Sequence, residues 1–204
     1  MSASLLPLFL SSLPSRSRSF ITITRSHYIH RPAQALQFYS HRRQIMKIAV
    51  FSDTHGFSRG MINAVEEYKP DQIIHLGDGM PDAEKVREMF PQIPVCCVPG
   101  NCDGYYDDEE AYKLITLGPL KAFLTHGHRY AVRGGKLDVL LYAVECCGAQ
   151  IAMFGHTHRA LFDQIGGIFV LNPGTAGKAP RRTWAKLEIT PDGTVSCDIC
   201  DIVS

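Results

Sequence analysis

The segment Ala149-Gln150-Ile151-Ala152-Met153-Phe154-Gly155-His156-Thr157-His158 places an apolar run directly before two histidines. The apolar run predicts a buried strand that ends at Gly155. In an extended backbone, residues i and i+2 point to the same side, so His156 and His158 would lie about 6.5–7 Å apart on one face. Two imidazoles placed in this way reach two different metals if the metals are roughly 3.5–4 Å apart. A single His-x-His pair also arises by chance or at the end of any strand, so the prediction depends on whether other strands end in ligands.

The first half of the domain repeats a pattern of apolar run, polar cluster and helix. The predicted strands are Lys47–Ser52, Gln72–Leu76 and Ile93–Val98, with one helix that begins at Ser58 and another around Asp82–Phe90. The first helix has one apolar face and ends before Pro70. In open α/β sheets, ligands bind at the carboxyl ends of the parallel strands, and all three polar clusters fall there.

The second half is rich in short strands. Its predicted elements are strands at Tyr112–Leu117, Leu120–Thr125, Leu161–Ile165, Ile168–Leu171, Thr183–Ile189 and Thr194–Ile199, and a helix at Lys136–Cys146. Gly118-Pro119 joins the first two of these strands and indicates a hairpin. This half therefore predicts a second sheet that packs on the first.

Five of the six histidines in residues 46–204 lie in polar clusters at predicted strand ends. The clusters are Asp53/His55, Asp78, Asn101/Asp103, His126/His128 and His156/His158, with Asn172-Pro173-Gly174 as a neighbour. A lone histidine is usually a packing residue, as we expect for His75 inside its strand, but five histidines at strand ends indicate a metal site. Imidazole, carboxylate and amide ligands favour manganese, iron, zinc, nickel or cobalt over a structural cysteine-rich zinc site.

Taken in order, five motifs resemble those of the calcineurin-like metallophosphoesterases. They are Asp53-x-His55, Gly77-Asp78, Gly100-Asn101-Cys102-Asp103, His126-Gly127-His128 and Gly155-His156-x-His158. The short chain and the Asn-Cys-Asp variant are most similar to the small bacterial phosphodiesterases of the YfcE type, over about residues 46–200. The resemblance implies an α/β fold of the four-layer αββα sandwich type. It also implies a phosphodiesterase with two divalent metal ions, for which we expect Mn²⁺, with Ni²⁺, Fe²⁺, Zn²⁺ or Co²⁺ as alternatives.

The resemblance further implies two metal sites that share a bridging carboxylate. The implied ligands are Asp53, His55 and His158 at the first metal, Asn101, His126 and His156 at the second, and Asp78 as the bridge. The residues predicted to take part in catalysis are Asp78, Asn101, Asp103 and His128. We expect Asp103 to orient its loop rather than to act as an acid. His128 shares the loop of His126, and both a contact with substrate or ligand and a plain loop role stay open for it.

Cys102 departs from the family pattern at a position that bears on the substrate. Many members of the family have a histidine there, which protonates the leaving group. A thiol is a poor substitute because it is usually neutral, with a pKa near ~8.5. The expected result is weak action on alkyl phosphomonoesters and better action on diesters with good leaving groups, such as aryl esters.

Residues 1–45 differ in composition from the rest of the chain. They contain nine of the 13 serines, six arginines and no acid, so residues 46–204 carry 15 Lys and Arg against 20 Asp and Glu. Three interpretations of this extension are open: a mitochondrial or plastid transit peptide, a reading frame that truly starts at Met46, or a disordered tail. We expect residues 46–204 to form the catalytic domain.

Composition also limits the partners and the compartment. An acidic domain without a Lys/Arg run argues against an extended nucleic acid, and no apolar run approaches the ~18 residues that span a membrane. The seven cysteines include adjacent pairs that do not easily bridge, which favours a reducing compartment. We therefore expect a cytoplasmic enzyme, or an organellar one if the extension is a transit peptide, with a small phosphoester substrate and a possible homo-oligomeric state.

Two alternatives to the phosphodiesterase stay open. One is a phosphomonoesterase of the same fold, which Cys102 disfavours. The other is an interaction scaffold like the retromer subunit, which resembles this fold but has lost several ligands. The arginines considered as phosphate contacts, although each is also an ordinary surface charge, are Arg59, Arg129, Arg133, Arg181 and Arg182.

Overall fold

The computed structural model describes residues 44–104 and 111–202. The predictions for residues 1–43 and for the loop at 105–110 lie outside these ranges. The helices are α1 (Ser58–Tyr68), α2 (Met80–Met89) and α3 (Asp138–Cys146). The strands are β1 (Met46–Phe51), β2 (Gln72–His75), β3 (Val95–Cys97), β4 (Tyr112–Leu117), β5 (Leu120–Thr125), β6 (Ile151–Met153), β7 (Leu161–Ile165), β8 (Ile168–Asn172), β9 (Thr183–Ile189) and β10 (Val195–Asp201).

The strands form two five-stranded mixed sheets. The first sheet has the order β10-β9-β1-β2-β3, with β1, β2 and β3 parallel and β9 antiparallel to both of its neighbours. The second has the order β4-β5-β6-β8-β7, with β5, β6 and β8 parallel and antiparallel strands at both edges. Each sheet therefore has three adjacent parallel strands whose carboxyl ends can carry a site.

The packing produces four layers. Fully buried side chains from both sheets form a shared central core that includes Val50, Ile74, Leu124 and Met153. A second core joins α1 and α2 to the first sheet, and a third joins α3 to the second sheet. Each fully buried aliphatic side chain contributes about 1.5–3 kcal/mol to these interfaces. The predicted four-layer αββα sandwich is thus confirmed.

The hairpin strands β4 and β5 have the predicted bounds, because Gly118 supplies a left-handed turn between two strongly apolar strands. The sequence predicts that the strands of the second half form the second sheet, but the last two strands belong to the first sheet. β9 returns to the first sheet and pairs with β1, and β10 forms the edge beyond it. No α-helix in the described ranges is both long and apolar enough to cross a membrane.

Candidate metal centre

The loops that follow β1, β2, β5 and β6 meet at one end of the two sheets. The Asp53 N–H donates to the Gly77 carbonyl oxygen at 2.9 Å, which joins the first two loops. The Gly155 N–H donates to the His126 carbonyl oxygen at 3.1 Å, which joins the other two. The sheets are joined here as well, because the His126 ring bonds to the Leu76 carbonyl oxygen at 2.7 Å.

These loops bring together what we call the acid–histidine cluster, defined as Asp53, His55, Asp78, His126, His156 and His158. Five of its members have left-handed backbone conformations, with φ of 55° at Asp53, 47° at His55, 57° at Asp78, 64° at His156 and 57° at His158. Such a conformation costs a non-glycine residue on the order of 1–3 kcal/mol and is found mainly at functional sites. The loops are therefore shaped for the site rather than for local stability.

Carboxylate and imidazole atoms converge inside the cluster. His158 Nε2 lies 3.1 Å from Asp53 Oδ1, and His126 Nε2 lies 3.9 Å from the same oxygen. His126 Nε2 is also 3.5 Å from Asp78 Oδ2, and His55 Nε2 is 3.9 Å from that oxygen. Ligand atoms within 4.8 Å of one another form three groups: Asp53/His55/His158, Asp53/Asp78/His126 and His55/Asp78/Cys102.

The tautomer of His126 shows that this arrangement suits a cation. Its Nδ1 donates to the Leu76 carbonyl, so in the neutral ring Nε2 carries a lone pair. That lone pair faces the Asp53 and Asp78 carboxylates, and both His126 and Asp53 side chains are fully buried. Among the described residues, His126 Nε2 and Asp53 Oδ1 are buried atoms without a hydrogen-bond donor or acceptor to satisfy them. Buried lone pairs that face one another are costly unless a cation lies between them, so the residues present fit a metal ion.

The pKa shifts of the cluster follow from burial and from this crowding. Burial raises the pKa of Asp53 even though His126 and Ser52 act to lower it. Burial would likewise raise the pKa of Asp78, but the interactions with His126 and the Cys102 N–H outweigh it and lower the pKa below the usual range. Burial would lower the pKa of His126, but the two carboxylates leave it raised.

His156 and His128 are neutral ligand candidates at physiological pH. Burial, followed by the charges of His126 and Arg133, lowers the pKa of His156 to about 4. Burial also lowers the pKa of His128. The His156 ring lies 5.0 Å from the His126 ring and 6.1 Å from the His128 ring, measured between centroids. The half-buried His128 borders the cluster, with its ring 5.4 Å from the His126 ring, and its Nδ1 is a buried atom without a hydrogen-bond partner in the described ranges.

Asp103 organises the loop that carries Asp78. Its Oδ2 accepts hydrogen bonds from the N–H groups of Asp78 at 2.6 Å and Gly100 at 2.8 Å. Its Oδ1 accepts from the N–H groups of Gly79 at 2.7 Å and Met80 at 2.9 Å. All four bonds are to backbone, which agrees with the expected orienting role of Asp103 and leaves no oxygen aimed at a substrate.

Asn101 and Cys102 lie side by side at the exposed edge of the cluster. The Asn101 amide donates to Cys102 Sγ at 3.3 Å, and the Cys102 N–H donates to Asp78 Oδ1 at 2.7 Å. The Cys102 thiol is close enough to His55 and Asp78 to share a cation with them. The sequence indicates Cys102 only as a weak acid, because the Asn-Cys-Asp spacing alone does not reveal a possible ligand.

Supporting residues complete the site. Ser52 Oγ donates to Asp53 Oδ2 at 2.6 Å, and the same oxygen accepts from the His156 N–H at 3.0 Å. The buried Asn172 amide donates to the Gly155 carbonyl at 2.8 Å and to Thr157 Oγ1 at 3.0 Å. Asn172 was expected only as a neighbour. The sequence does not indicate that Ser52 supports the site, because a serine at a strand end is not part of a distinctive pattern.

Gly155 is required by the close approach of the loop to β1. A Cβ at this position would lie 1.9 Å from Ser52 Oγ and 2.9 Å from Asp53 Oδ2. A side chain here would therefore displace the Asp53 carboxylate. The glycine before the two histidines is thus as much a part of the site as the histidines that follow it.

Comparison with known proteins agrees with this geometry. Residues 46–191 match the calcineurin-like phosphoesterase superfamily domain. YsnB of Bacillus subtilis, a probable metallophosphoesterase, is 33% identical over 135 residues, which cover 64% of this chain and 75% of YsnB. The phosphodiesterase YfcE of Escherichia coli K12 is 27% identical over 158 residues, which cover 64% of this chain and 79% of YfcE.

Solved structures share the architecture. A predicted phosphoesterase from Streptococcus pneumoniae TIGR4 superposes with a TM-score of 0.60 at 26% identity, over 78% of this chain and 98% of its own. Vps29 of Entamoeba histolytica in complex with Zn²⁺ superposes with a TM-score of 0.58 at 20% identity, over 78% of this chain and 100% of its own, and shares the fold alone. Because the family match contains every residue of the acid–histidine cluster, the chain belongs to the calcineurin-like phosphoesterase superfamily and is a phosphoester hydrolase that uses divalent metal.

Proposed function

We propose that this protein is a phosphodiesterase with a two-metal centre in which Asp78 bridges the metals. The observation that carries the proposal is the pair of buried, unsatisfied atoms Asp53 Oδ1 and His126 Nε2, which lie 3.9 Å apart, with Asp78 Oδ2 3.5 Å from the same His126 nitrogen. Divalent metals in such a site lower the pKa of water and stabilise charge on phosphoryl oxygens. We propose Mn²⁺ as the native metal, with Ni²⁺, Fe²⁺, Zn²⁺ or Co²⁺ as alternatives, because a mixture of carboxylate and imidazole ligands suits each of these ions.

The protein's own residues would hold and orient these ions as the family resemblance implies. Asp53, His55 and His158 would bind the first metal, in agreement with their grouping within 4.8 Å. The second metal would take His126, Asn101 and His156. Asn101 and His156 are assigned from the resemblance, and His156 is further supported by the edge-to-face contact of its ring with the His126 ring, whose centroids are 5.0 Å apart.

A preference for esters with good leaving groups, such as aryl phosphodiesters, over alkyl phosphomonoesters follows from Cys102. The hydrogen bond to Asp78, with burial as a smaller cause, raises the pKa of the Cys102 thiol. A thiol with a raised pKa is a weak proton donor, so an alkoxide leaving group would depart without assistance. Aryl phosphodiesters do not need that assistance, because a phenolate is already a good leaving group.

The proposal is tested by turnover of bis-p-nitrophenyl phosphate by the full chain with Mn²⁺. We expect metal-dependent activity that Asp78→Asn reduces by about 10²–10³-fold, since removal of one central electrostatic element commonly costs this much. Asp163→Asn is the matched control, because Asp163 is an exposed acid on β7 away from the cluster. Equal turnover by the wild type and Asp78→Asn, or activity that EDTA leaves unchanged, would contradict the proposal.

An interaction scaffold is the second candidate, because Vps29 shares the fold. Metal content alone does not separate the two, since the Entamoeba histolytica Vps29 itself is described in complex with Zn²⁺. Turnover does separate them. A chain that binds stoichiometric Mn²⁺ but shows no diesterase activity would favour the scaffold.

We further propose that the catalytic domain comprises residues 46–204 and functions in a reducing compartment, most simply the cytoplasm. All seven cysteines are free thiols, which supports this assignment. A homo-oligomeric state stays a prediction that light scattering of the purified chain would test.

A further inference from the structure

A cavity of about 630 Å³ opens next to the acid–histidine cluster. His156 and His158 form part of its wall, so the cavity is continuous with the metal centre. Its volume lies within the range of about 300–1,000 Å³ that is typical of small-molecule sites. It is therefore large enough to hold a substrate group that extends from a phosphate at the metals.

Part of the lining of this cavity, which we call the apolar wall, consists of Val132, Leu137, Phe154 and Leu161. Leu137 and Leu161 are partly exposed and carry its accessible surface, whereas Val132 and Phe154 are 1% and 2% exposed and packed into the fold. The four residues come from the segment after β5, the residue before α3, the residue after β6 and the start of β7. The wall is thus built on packed elements and offers a preformed surface for a ring, which gains more from such contact than a short alkyl group does.

Two arginines also line the same cavity. Arg133 and Arg159 are both exposed, and within residues 44–104 and 111–202 neither side chain is paired with a carboxylate. A guanidinium is a donor without an acceptor, so it favours oxygens that carry negative charge or lone pairs. A ligand for this cavity should therefore combine a ring with several acceptor oxygens.

The position of the cavity decides which part of the substrate enters it. A phosphodiester has two ester arms, and one of them leaves during hydrolysis while the other stays on phosphorus. An arm that entered the cavity from the metal centre would pass His156 and His158, meet the apolar wall with its ring and expose its oxygens to the arginines. A methyl or phenyl arm would use only part of this surface, whereas a nucleoside has the ring, the sugar oxygens and the base carbonyls.

We propose that this cavity binds a nucleoside arm of the substrate, so that the enzyme acts on nucleotidyl phosphodiesters. The inference rests on the proposed phosphodiesterase function and adds the class of substrate to it. Leu137 and its apolar neighbours hold the base, and Arg133 and Arg159 bind oxygens of the nucleoside or of a further phosphate on it.

The test compares three diesters that share p-nitrophenol as the leaving group. The second arm is methyl, phenyl or thymidine-5′, so differences in kcat/KM report the cavity rather than the departure of the phenolate. We expect kcat/KM to rise from methyl to phenyl to thymidine, with a thymidine-to-methyl ratio of about tenfold or more, as one well-packed substrate group usually provides. Equal values for the three arms would overturn the inference while the phosphodiesterase function stood.

Variants then assign the preference to this cavity. Leu137→Trp should fill the apolar wall and reduce the thymidine-to-methyl ratio at least fivefold. Val139→Trp is the matched control, because Val139 lies two residues further on α3 with 55% of its surface exposed. The double variant Arg133→Gln/Arg159→Gln changes only exposed side chains and should lower the thymidine-to-phenyl ratio without lowering the phenyl-to-methyl ratio. Ratios that these variants leave unchanged would contradict the assignment.

A binding measurement keeps the inference testable whether or not turnover is observed. Titration calorimetry with thymidine 5′-monophosphate and with inorganic phosphate should show tighter binding of the nucleotide to the Mn²⁺-loaded chain. Leu137→Trp should remove that difference and Val139→Trp should retain it. Absence of diester turnover would contradict the proposed function alone, whereas equal affinity for nucleotide and phosphate would contradict the nucleoside cavity.

Discussion

At the scale of single residues, His126 shows how a backbone contact determines the chemistry of a side chain. The Leu76 carbonyl oxygen accepts a hydrogen bond from His126 Nδ1–H. The lone pair of the neutral ring is therefore on Nε2, which faces Asp53 and Asp78. The sequence predicts His126 as a ligand from its place at a strand end. The tautomer depends on a carbonyl in the other sheet, 50 residues away in the chain, and no local pattern encodes such a contact.

Replacement of Cys102 tests the account of leaving-group preference. Cys102→His places an imidazole, with a usual pKa near ~6.5, where the raised pKa of the thiol makes it a poor donor. We expect the ratio of monoesterase to diesterase kcat/KM to rise by about tenfold or more, in line with the usual gain from a general acid. Alkyl phosphomonoesters and bis-p-nitrophenyl phosphate are suitable substrates, and Cys146→His, at an exposed thiol on α3, is the control. An unchanged ratio in Cys102→His would contradict the account.

At the scale of elements, the loops after the parallel strands carry the site and glycines and acids hold them in place. The sequence predicts each loop, because an apolar run gives way to polar residues at its end. How tightly the loops pack is not predictable in the same way. Gly155 must lack a side chain because β1 brings Ser52 within 1.9 Å of where a Cβ would be, and this distance depends on the pairing of distant strands.

Asp103 provides a test at this scale, since it organises a loop without facing the substrate. Asp103→Ala removes four acceptor contacts with backbone N–H groups around Asp78. We expect the affinity for Mn²⁺ to fall about 10–100-fold, as is usual when a residue that orients metal ligands is removed. Calorimetric titration of the metal-free chain measures this, with Asp163→Ala as the exposed control. An affinity for Mn²⁺ in Asp103→Ala equal to that of the wild type would show that the loop does not depend on this carboxylate.

At the scale of the whole molecule, the order of strands was less predictable than the strands themselves. Hydrophobic alternation locates β9 and β10, but it does not show that β9 pairs with β1 across more than 130 residues of chain. The position of the cavity is likewise not predictable from the sequence. The sequence indicates Arg133 as a candidate phosphate contact but does not indicate Arg159. Both line one cavity because β6, β7 and the segment after β5 meet there.

The stability of the molecule should depend on pH through His75. This histidine is fully buried, bonded to Thr54 Oγ1 and the Gly77 N–H at 3.2 Å each, and burial lowers its pKa from 6.5 to about 4. Between these two values the unfolded chain binds a proton that the folded chain does not, so the free energy of unfolding falls as the pH drops from about 6.5 to 4. The loss from this group is on the order of 3 kcal/mol.

Urea unfolding of the metal-free chain at pH 7 and pH 4.5 measures this dependence, with EDTA present throughout. His75→Gln supplies a side-chain amide that can hydrogen-bond but does not titrate, so we expect a smaller decrease in the free energy of unfolding between the two pH values than in the wild type. An equal decrease in both proteins would mean that other groups account for the acid sensitivity.

The central claim is that one carboxylate, Asp78, bridges two metal ions. Anomalous diffraction from crystals grown with Mn²⁺ tests it most directly, because each ion appears as a separate peak at the manganese absorption edge. We predict two peaks about 3.5–4 Å apart, with Asp78 bound to both, Asp53 and His158 at one and His126 at the other. A single peak, or two peaks without Asp78 between them, would contradict the account.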